Sequence, residues 1–170
     1  MVGATVKKWS LKNIAKEVVG TLLMIFVVSI TLNYLRQPDT NKQLPKLLLT
    51  TIDKSLVSTK QQGKKTVLHF WATWCPICKL EAPNLESIKD EVNLITIAVN
   101  SGTDEELLRF VKEHGYSYLV VNDDSGSMAK QFDVEVFPTT FIYDTQGKRS
   151  FVEVGYSTTL GLKARVALSE

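Results

Sequence analysis

One stretch of this 170-residue chain restricts its fold more than any other: "TVLHFWATWCPICKLEAP", Thr66 to Pro83. Thr66–Trp71 is a continuous β-rich apolar run, too unbroken for a half-exposed strand, so it belongs in the centre of a sheet. The residues from Pro76 to about Asp90 carry Ile77, Leu80, Leu85 and Ile88 at helical spacing, with Pro83 inside the pattern as an expected kink. The only two cysteines of the chain, Cys75 and Cys78, lie at this strand-to-helix junction. Pro76 suits the first helical position, where its missing N–H costs nothing. Cys75 is then the N-cap and Cys78 the third helical residue. That spacing lets the Cys75 sulfur accept a hydrogen bond from the Cys78 backbone N–H, and the helix N-terminus favours an anionic sulfur there. Both effects lower the pKa of Cys75 and make it the attacking thiol, leaving Cys78 as the resolving one.

Three other roles for the pair compete. A structural staple is disfavoured, because so short a loop hardly restrains the unfolded chain. A zinc site needs about four ligands, and only His69 and His114 could join the cysteines. Two inert core thiols are disfavoured by an exported location, where paired thiols oxidise.

That location follows from the N-terminal segment. Val18–Leu35, "VVGTLLMIFVVSITLNYL", contains no charged residue and would span about 27 Å as a helix, close to the hydrocarbon thickness of a bilayer. A cleaved signal peptide is the alternative, but its apolar core is usually about 7–15 residues long and ends in an A-x-A-like site, which is not evident here. Residues 1–36 carry Lys7, Lys8, Lys12, Lys16 and Arg36 against Glu17, a net +4, and the remainder is −2. Four lysines before the span and one arginine after it predict a cytoplasmic N-terminus, residues 1–17, and a domain on the opposite side. Tyr34 is placed to sit at the interface; Trp9 is too far upstream. Positive charge gathered around an apolar segment, not over a face, gives no reason to expect a nucleic-acid partner. Residues 36–45, polar and with two prolines, read as a tether.

Residues 46–170 read as one α/β domain. Two short strands, Lys46–Asp53 and Leu56–Thr59, flank a turn at Asp53-Lys54-Ser55. After the strand–helix unit come "NLITIAVN" as a strand, "TDEELLRFVKEHG" as a helix capped by Thr103, and "YLVVND" as a strand. "SGSMAKQFDV" reads as a short helix, "TTFIYD" and "SFVEVG" as strands, and "STTLGLKARVAL" as a closing helix. The alternation predicts a mixed sheet with helices on both faces.

"HFWATWCPICKLEAP", with lysine after the second cysteine, Pro83 five residues after Cys78 and "FPTT" some sixty residues on, resembles the active-site pattern of the thioredoxin superfamily. The resemblance runs from about Leu44 to Leu168. It is closest to the membrane-anchored TlpA/ResA-like periplasmic thiol-disulfide oxidoreductases, and the Cys-Pro-aliphatic-Cys centre is also similar to the thioredoxin-like member of bacterial copper-sensitivity-suppressor systems. It implies a thioredoxin fold with an N-terminal β-hairpin extension and disulfide exchange with exported proteins, with no cofactor. The expected setting is the bacterial cytoplasmic membrane, with the catalytic domain outside the cytoplasm and electrons supplied by a membrane donor of the DsbD type. Net reduction is the expected direction; the alternatives are disulfide formation, or copper(I) handling by the same two thiols.

The resemblance also implies a cis peptide bond before Pro138 and a substrate-binding loop of Phe137, Pro138 and Thr139; a trans proline opening a strand is the alternative. Trp74, Pro76 and Ile77 form the rim of the site, and Trp71 packs the core. Glu81 matches an acid that tunes the thiols in TlpA/ResA-like members, against the alternative of a solvated helix face. His69 stands where thioredoxins carry a buried acid that exchanges a proton with the resolving cysteine. Alternation puts His69 and Trp71 on one face of their strand and Leu68 and Phe70 on the other. Either His69 is a proton acceptor for Cys78, or it is a neutral, buried, hydrogen-bonded core residue.

Overall fold

A computed structural model describes residues 11–36 and 42–169. The chain divides after Arg36 into two compact units. The first is a single helix, α1 (Leu11–Arg36), longer than the uncharged run. Its Ile14–Leu32 stretch of 19 residues is wholly exposed, and among the described residues it is the one helix long and apolar enough to cross a membrane. The hydroxyls of Thr21 and Thr31 donate to the carbonyls of Glu17 and Val27, at 2.8 and 2.9 Å, so these polar groups are satisfied within the helix. The helix runs beyond Val18–Leu35, by Arg36 at its end and further at its start, where Lys12, Lys16 and Glu17 are good helix formers. Residues 1–10 of the expected N-terminal segment and residues 37–41 of the tether lie outside the described residues.

The second unit is built on β3 (Thr66–Trp71), every residue of which is buried. It pairs in parallel with β4 (Asn93–Val99) and antiparallel with β6 (Thr139–Tyr143). The outer strands are β5 (Leu119–Asp123) beside β4 and β7 (Arg149–Val154) beside β6, which gives the order β5-β4-β3-β6-β7. On one face the helices α2 (Pro76–Glu86), α3 (Asp104–Glu113) and α5 (Thr159–Leu168) pack on Val67, Trp71, Ala98, Val120 and Ile142. The other face buries Leu68, Phe70, Ile95, Ile97 and Phe141 beneath the short α4 (Ser127–Gln131) and the hairpin residue Val57. Helices therefore lie on both faces of a mixed sheet, a thioredoxin-type fold.

Three local features differ from the expected pattern. The hairpin strands are shorter, β1 (Leu48–Thr50) and β2 (Leu56–Ser58), and form a sheet of their own. Asp53 accepts hydrogen bonds from the Thr51 and Ser55 side chains and draws the chain into the turn early. The Ile52 N–H donates to Val120 O at 2.9 Å, so the hairpin end is fastened to the edge strand β5. The active-site helix continues through Pro83, which has no N–H to offer the Lys79 carbonyl. It stops at Glu86, and Ile88 is buried from the following turn. An apolar residue at helical spacing can thus reach the core without belonging to the helix.

Phe70 is the packing centre of the second face, with ring centroids 5.3 Å from Phe132 and 5.8 Å from Phe141. Phe70→Ala should destabilise the domain by about 3–5 kcal/mol, read as a lower urea midpoint at an unchanged slope. A slope change would mean that the substitution had altered the two-state reaction itself.

Candidate active site

β3 ends at Trp71, and the chain turns through Ala72–Trp74 with the Cys75 N–H bonded to Ala72 O at 3.2 Å. Cys75 is the extended N-cap residue (φ −89°, ψ 111°), Pro76 opens the helix, and the Cys78 N–H donates to Cys75 Sγ at 3.2 Å. The two cysteines form a disulfide and both are buried, whereas the rim residues Trp74 and Ile77 are 60% and 43% exposed. An amide at this position and a helix N-terminus both stabilise negative charge on a Cys75 thiolate.

The loop before β6 closes one side of this centre. The Phe137–Pro138 peptide bond is cis, and the Phe137 carbonyl oxygen lies 3.9 Å from Cys75 Sγ. Trp74 bridges two neighbours: its ring meets Phe137 edge-on at 5.7 Å, and its Nε1–H donates to Asn100 O at 3.1 Å. The Thr139 hydroxyl turns back to Val136 O at 2.8 Å, which braces the loop. The juxtaposition follows from register, because Phe70 near the end of β3 stands opposite Thr139 at the start of β6.

Glu81 lies one turn after Cys78 and is fully buried. Burial pushes its carboxyl up to about 8; the Ser157 backbone offsets a little of this and the Glu153 charge adds to it. Neither carboxyl oxygen has a hydrogen-bond partner of normal geometry among the described residues. A solvated helix face is therefore not its setting.

His69 is also buried, on the sheet face that carries Trp71. Its Nδ1 lies 2.9 Å from the Thr140 hydroxyl, and burial lowers its pKa to about 3. Burial opposes a protonated His69 near neutral pH. Strand alternation placed the residue correctly, but the cost of charging an imidazole inside the sheet could not be read from it. His114, at the end of α3, stacks on Phe110 at 4.1 Å, and its Nδ1 lies 2.8 Å from Phe110 O.

Asn100 and the segment Gly155–Thr159 also belong to this region, and sequence reasoning missed both. Gly155 N–H donates to Pro138 O at 2.8 Å, and the Ser157 backbone lies against Glu81. These residues are separated from the cysteines by dozens of positions and carry no motif of their own.

A cysteine pair at a helix N-terminus, faced by a cis-proline loop on this fold, defines a thiol-disulfide oxidoreductase of the thioredoxin class. The family model described as Redoxin matches residues 38–166, and the chain belongs to that family. A thioredoxin-like protein of Haemophilus influenzae is 27% identical over 163 residues, which cover 94% of this chain and 97% of that protein. Sporulation thiol-disulfide oxidoreductase A of Bacillus subtilis is 32% identical over 123 residues, 68% of this chain and 74% of its own. Among solved structures, StoA of Bacillus subtilis superposes with a TM-score of 0.64 at 28% identity, covering 73% of this chain and 98% of that one. A secreted Mycobacterium tuberculosis disulfide oxidoreductase homologous to E. coli DsbE gives 0.63 at 27% identity, over 72% and 96%.

The two buried groups predict opposite pH dependences in the oxidised protein. The folded chain keeps the Glu81 proton between the ordinary value of 4.5 and about 8, while the unfolded chain releases it. Stability on this account falls as pH rises through that window, by up to about 1.4 kcal/mol per pH unit. The unfolded chain takes up the His69 proton below 6.5 while the folded chain resists it to about 3, so on this account stability falls as pH drops. Urea denaturation across pH should show Glu81→Gln removing the fall with rising pH between 4.5 and about 8, and His69→Gln removing the fall with dropping pH between 6.5 and about 3.

Proposed function

We propose that this protein is a membrane-anchored reductant of disulfides in exported proteins. The observation that carries disulfide exchange is the Cys78 N–H held 3.2 Å from Cys75 Sγ at the helix N-terminus, beside the exposed rim of Trp74 and Ile77, which makes Cys75 the attacking thiol. The Cys75 thiolate attacks one sulfur of a substrate disulfide, forming a mixed disulfide and releasing the first substrate thiolate. Cys78 then gives its proton to Glu81 and attacks Cys75 Sγ, which releases the second substrate thiolate. Two electrons leave the dithiol, and the enzyme ends as the Cys75–Cys78 disulfide. A membrane donor of the DsbD type returns the electrons from the cytoplasm.

One feature of the pair's surroundings supports the reducing direction. Burial opposes a charged His69, which therefore gives thiolates no positive partner. The absence of that partner disfavours the reduced form and lowers its potential. Phe137, Pro138 and Thr139 would then hold the extended substrate backbone, with Trp74, Pro76 and Ile77 as the rim beside it. The exposed apolar helix, with lysines before it, supports a single-pass anchor in the cytoplasmic membrane and a domain on the far side.

Redox titration against glutathione or dithiothreitol should give a midpoint near that of thioredoxin, about −270 mV; a value near that of DsbA, about −120 mV, would assign the opposite direction. Cys78→Ser should accumulate mixed disulfides with envelope proteins, seen as dithiothreitol-sensitive bands, and Cys75→Ser should accumulate few. Preferential alkylation of Cys78 over Cys75 at neutral pH would reverse the two roles. A reporter joined after residue 45 should behave as exported, in a membrane-bound protein that retains Met1. A mature N-terminus beyond Ser29 would replace the anchor with a cleaved signal.

A further inference from the structure

Asn84 lies three residues after Glu81, on the same side of α2, in a helix interior where asparagine is a poor choice on propensity alone. Its side chain is spent on the segment between β7 and α5. Nδ2 donates to the Ser157 carbonyl at 2.8 Å and to the Tyr156 hydroxyl at 3.1 Å, and Oδ1 accepts from the Thr159 hydroxyl at 2.8 Å. The same segment is tied at its start to the substrate-binding loop by the Gly155 N–H on Pro138 O, at 2.8 Å. Gly155 adopts φ +94°, a conformation that glycine reaches without strain. Ser157, between these two attachments, is buried with its backbone against Glu81.

We propose that Asn84 is a positioning residue: by clamping Tyr156, Ser157 and Thr159 to α2 it holds this segment over the Glu81 carboxyl and keeps that carboxyl out of water as it exchanges a proton with Cys78. The proposal rests on the proton-acceptor reading of Glu81. Without the clamp the segment is held to the domain at the Pro138 end and by α5, and water reaches Glu81. The charged and titratable neighbours are few. Cys78 shares the helix, Tyr156 belongs to the covering segment, and Glu153 approaches from β7, with its charge offset by Arg165 Nε of α5 at 2.5 Å. None of these supplies a cation to Glu81 itself, so exclusion of water is the main influence on its proton.

The test is a carboxyl-carbon NMR titration of the oxidised full chain in detergent micelles, with the Glu81 signal assigned by its loss in Glu81→Gln. In wild-type protein Glu81 should titrate near 8. In Asn84→Ala the midpoint should drop by roughly one pH unit or more, at least a tenfold change in proton affinity. Stopped-flow resolution of a Cys75–glutathione mixed disulfide should show the same displacement of its pH profile in Asn84→Ala, and no further displacement when Asn84→Ala is added to Glu81→Gln. A Glu81 midpoint unchanged in folded Asn84→Ala overturns the clamp. If that variant does not fold, Thr159→Val combined with Tyr156→Phe removes two of the three contacts, and an unchanged midpoint there overturns it equally. A midpoint that moves while Glu81→Gln leaves resolution untouched would establish the clamp and dismiss Glu81 as proton acceptor, so the two ideas fail separately.

Discussion

The site depends on the complete burial of β3. A strand with side chains inside on both faces must lie at the centre of the sheet, and here it has β4 on one side and β6 on the other. Because β4 runs parallel to β3, α2 must cross over the sheet to reach it, so the end of β3 becomes the start of a helix. Because β6 runs antiparallel, its first residues stand beside the last residues of β3. The cysteines at one junction and Pro138 at the other are thereby brought to the same end of the sheet. Their proximity is a product of strand order, and the 3.9 Å between Cys75 Sγ and the Phe137 carbonyl follows from it.

Electrostatics divide the labour within that geometry. Cys75 lies where a helix offers an unpaired amide and the positive end of its dipole, so charge there is stabilised by fixed backbone groups. Glu81, one turn further in, has lost water without gaining a donor of normal geometry among the described residues, so its charge is opposed. A few residues of one helix separate a group whose charge is stabilised from a group whose charge is opposed. His69, buried with a threonine partner, is kept neutral and contributes packing and a hydrogen bond.

Much of this was legible in the residues themselves. Strand, N-cap and helix around Cys75 could be derived because each depends on neighbours within a few positions, as do the Thr103 cap and the two faces of β3. The lengths of the hairpin strands and the end of α2 were less legible, since side-chain bonds from Asp53 and the packing of Ile88 decide them. The cis bond at Phe137–Pro138 and the importance of Glu81 came from resemblance, as no local pattern distinguishes that proline or that acid from others.

By itself the sequence determined an apolar N-terminal helix, a central strand running into a redox-active helix, and a thiol pair whose inequality comes from the helix end. These are short-range consequences of side-chain volume, hydrogen-bonding groups and chain direction. Tertiary structure alone decided which ionisable groups are dry. Burial makes Glu81 a weaker acid, with the Ser157 backbone more than seventy residues away beside it, and burial between β4 and β6 opposes a charge on His69. The energy of a charge depends on the polarisable surroundings within several ångströms, and only the folded chain specifies what those surroundings are.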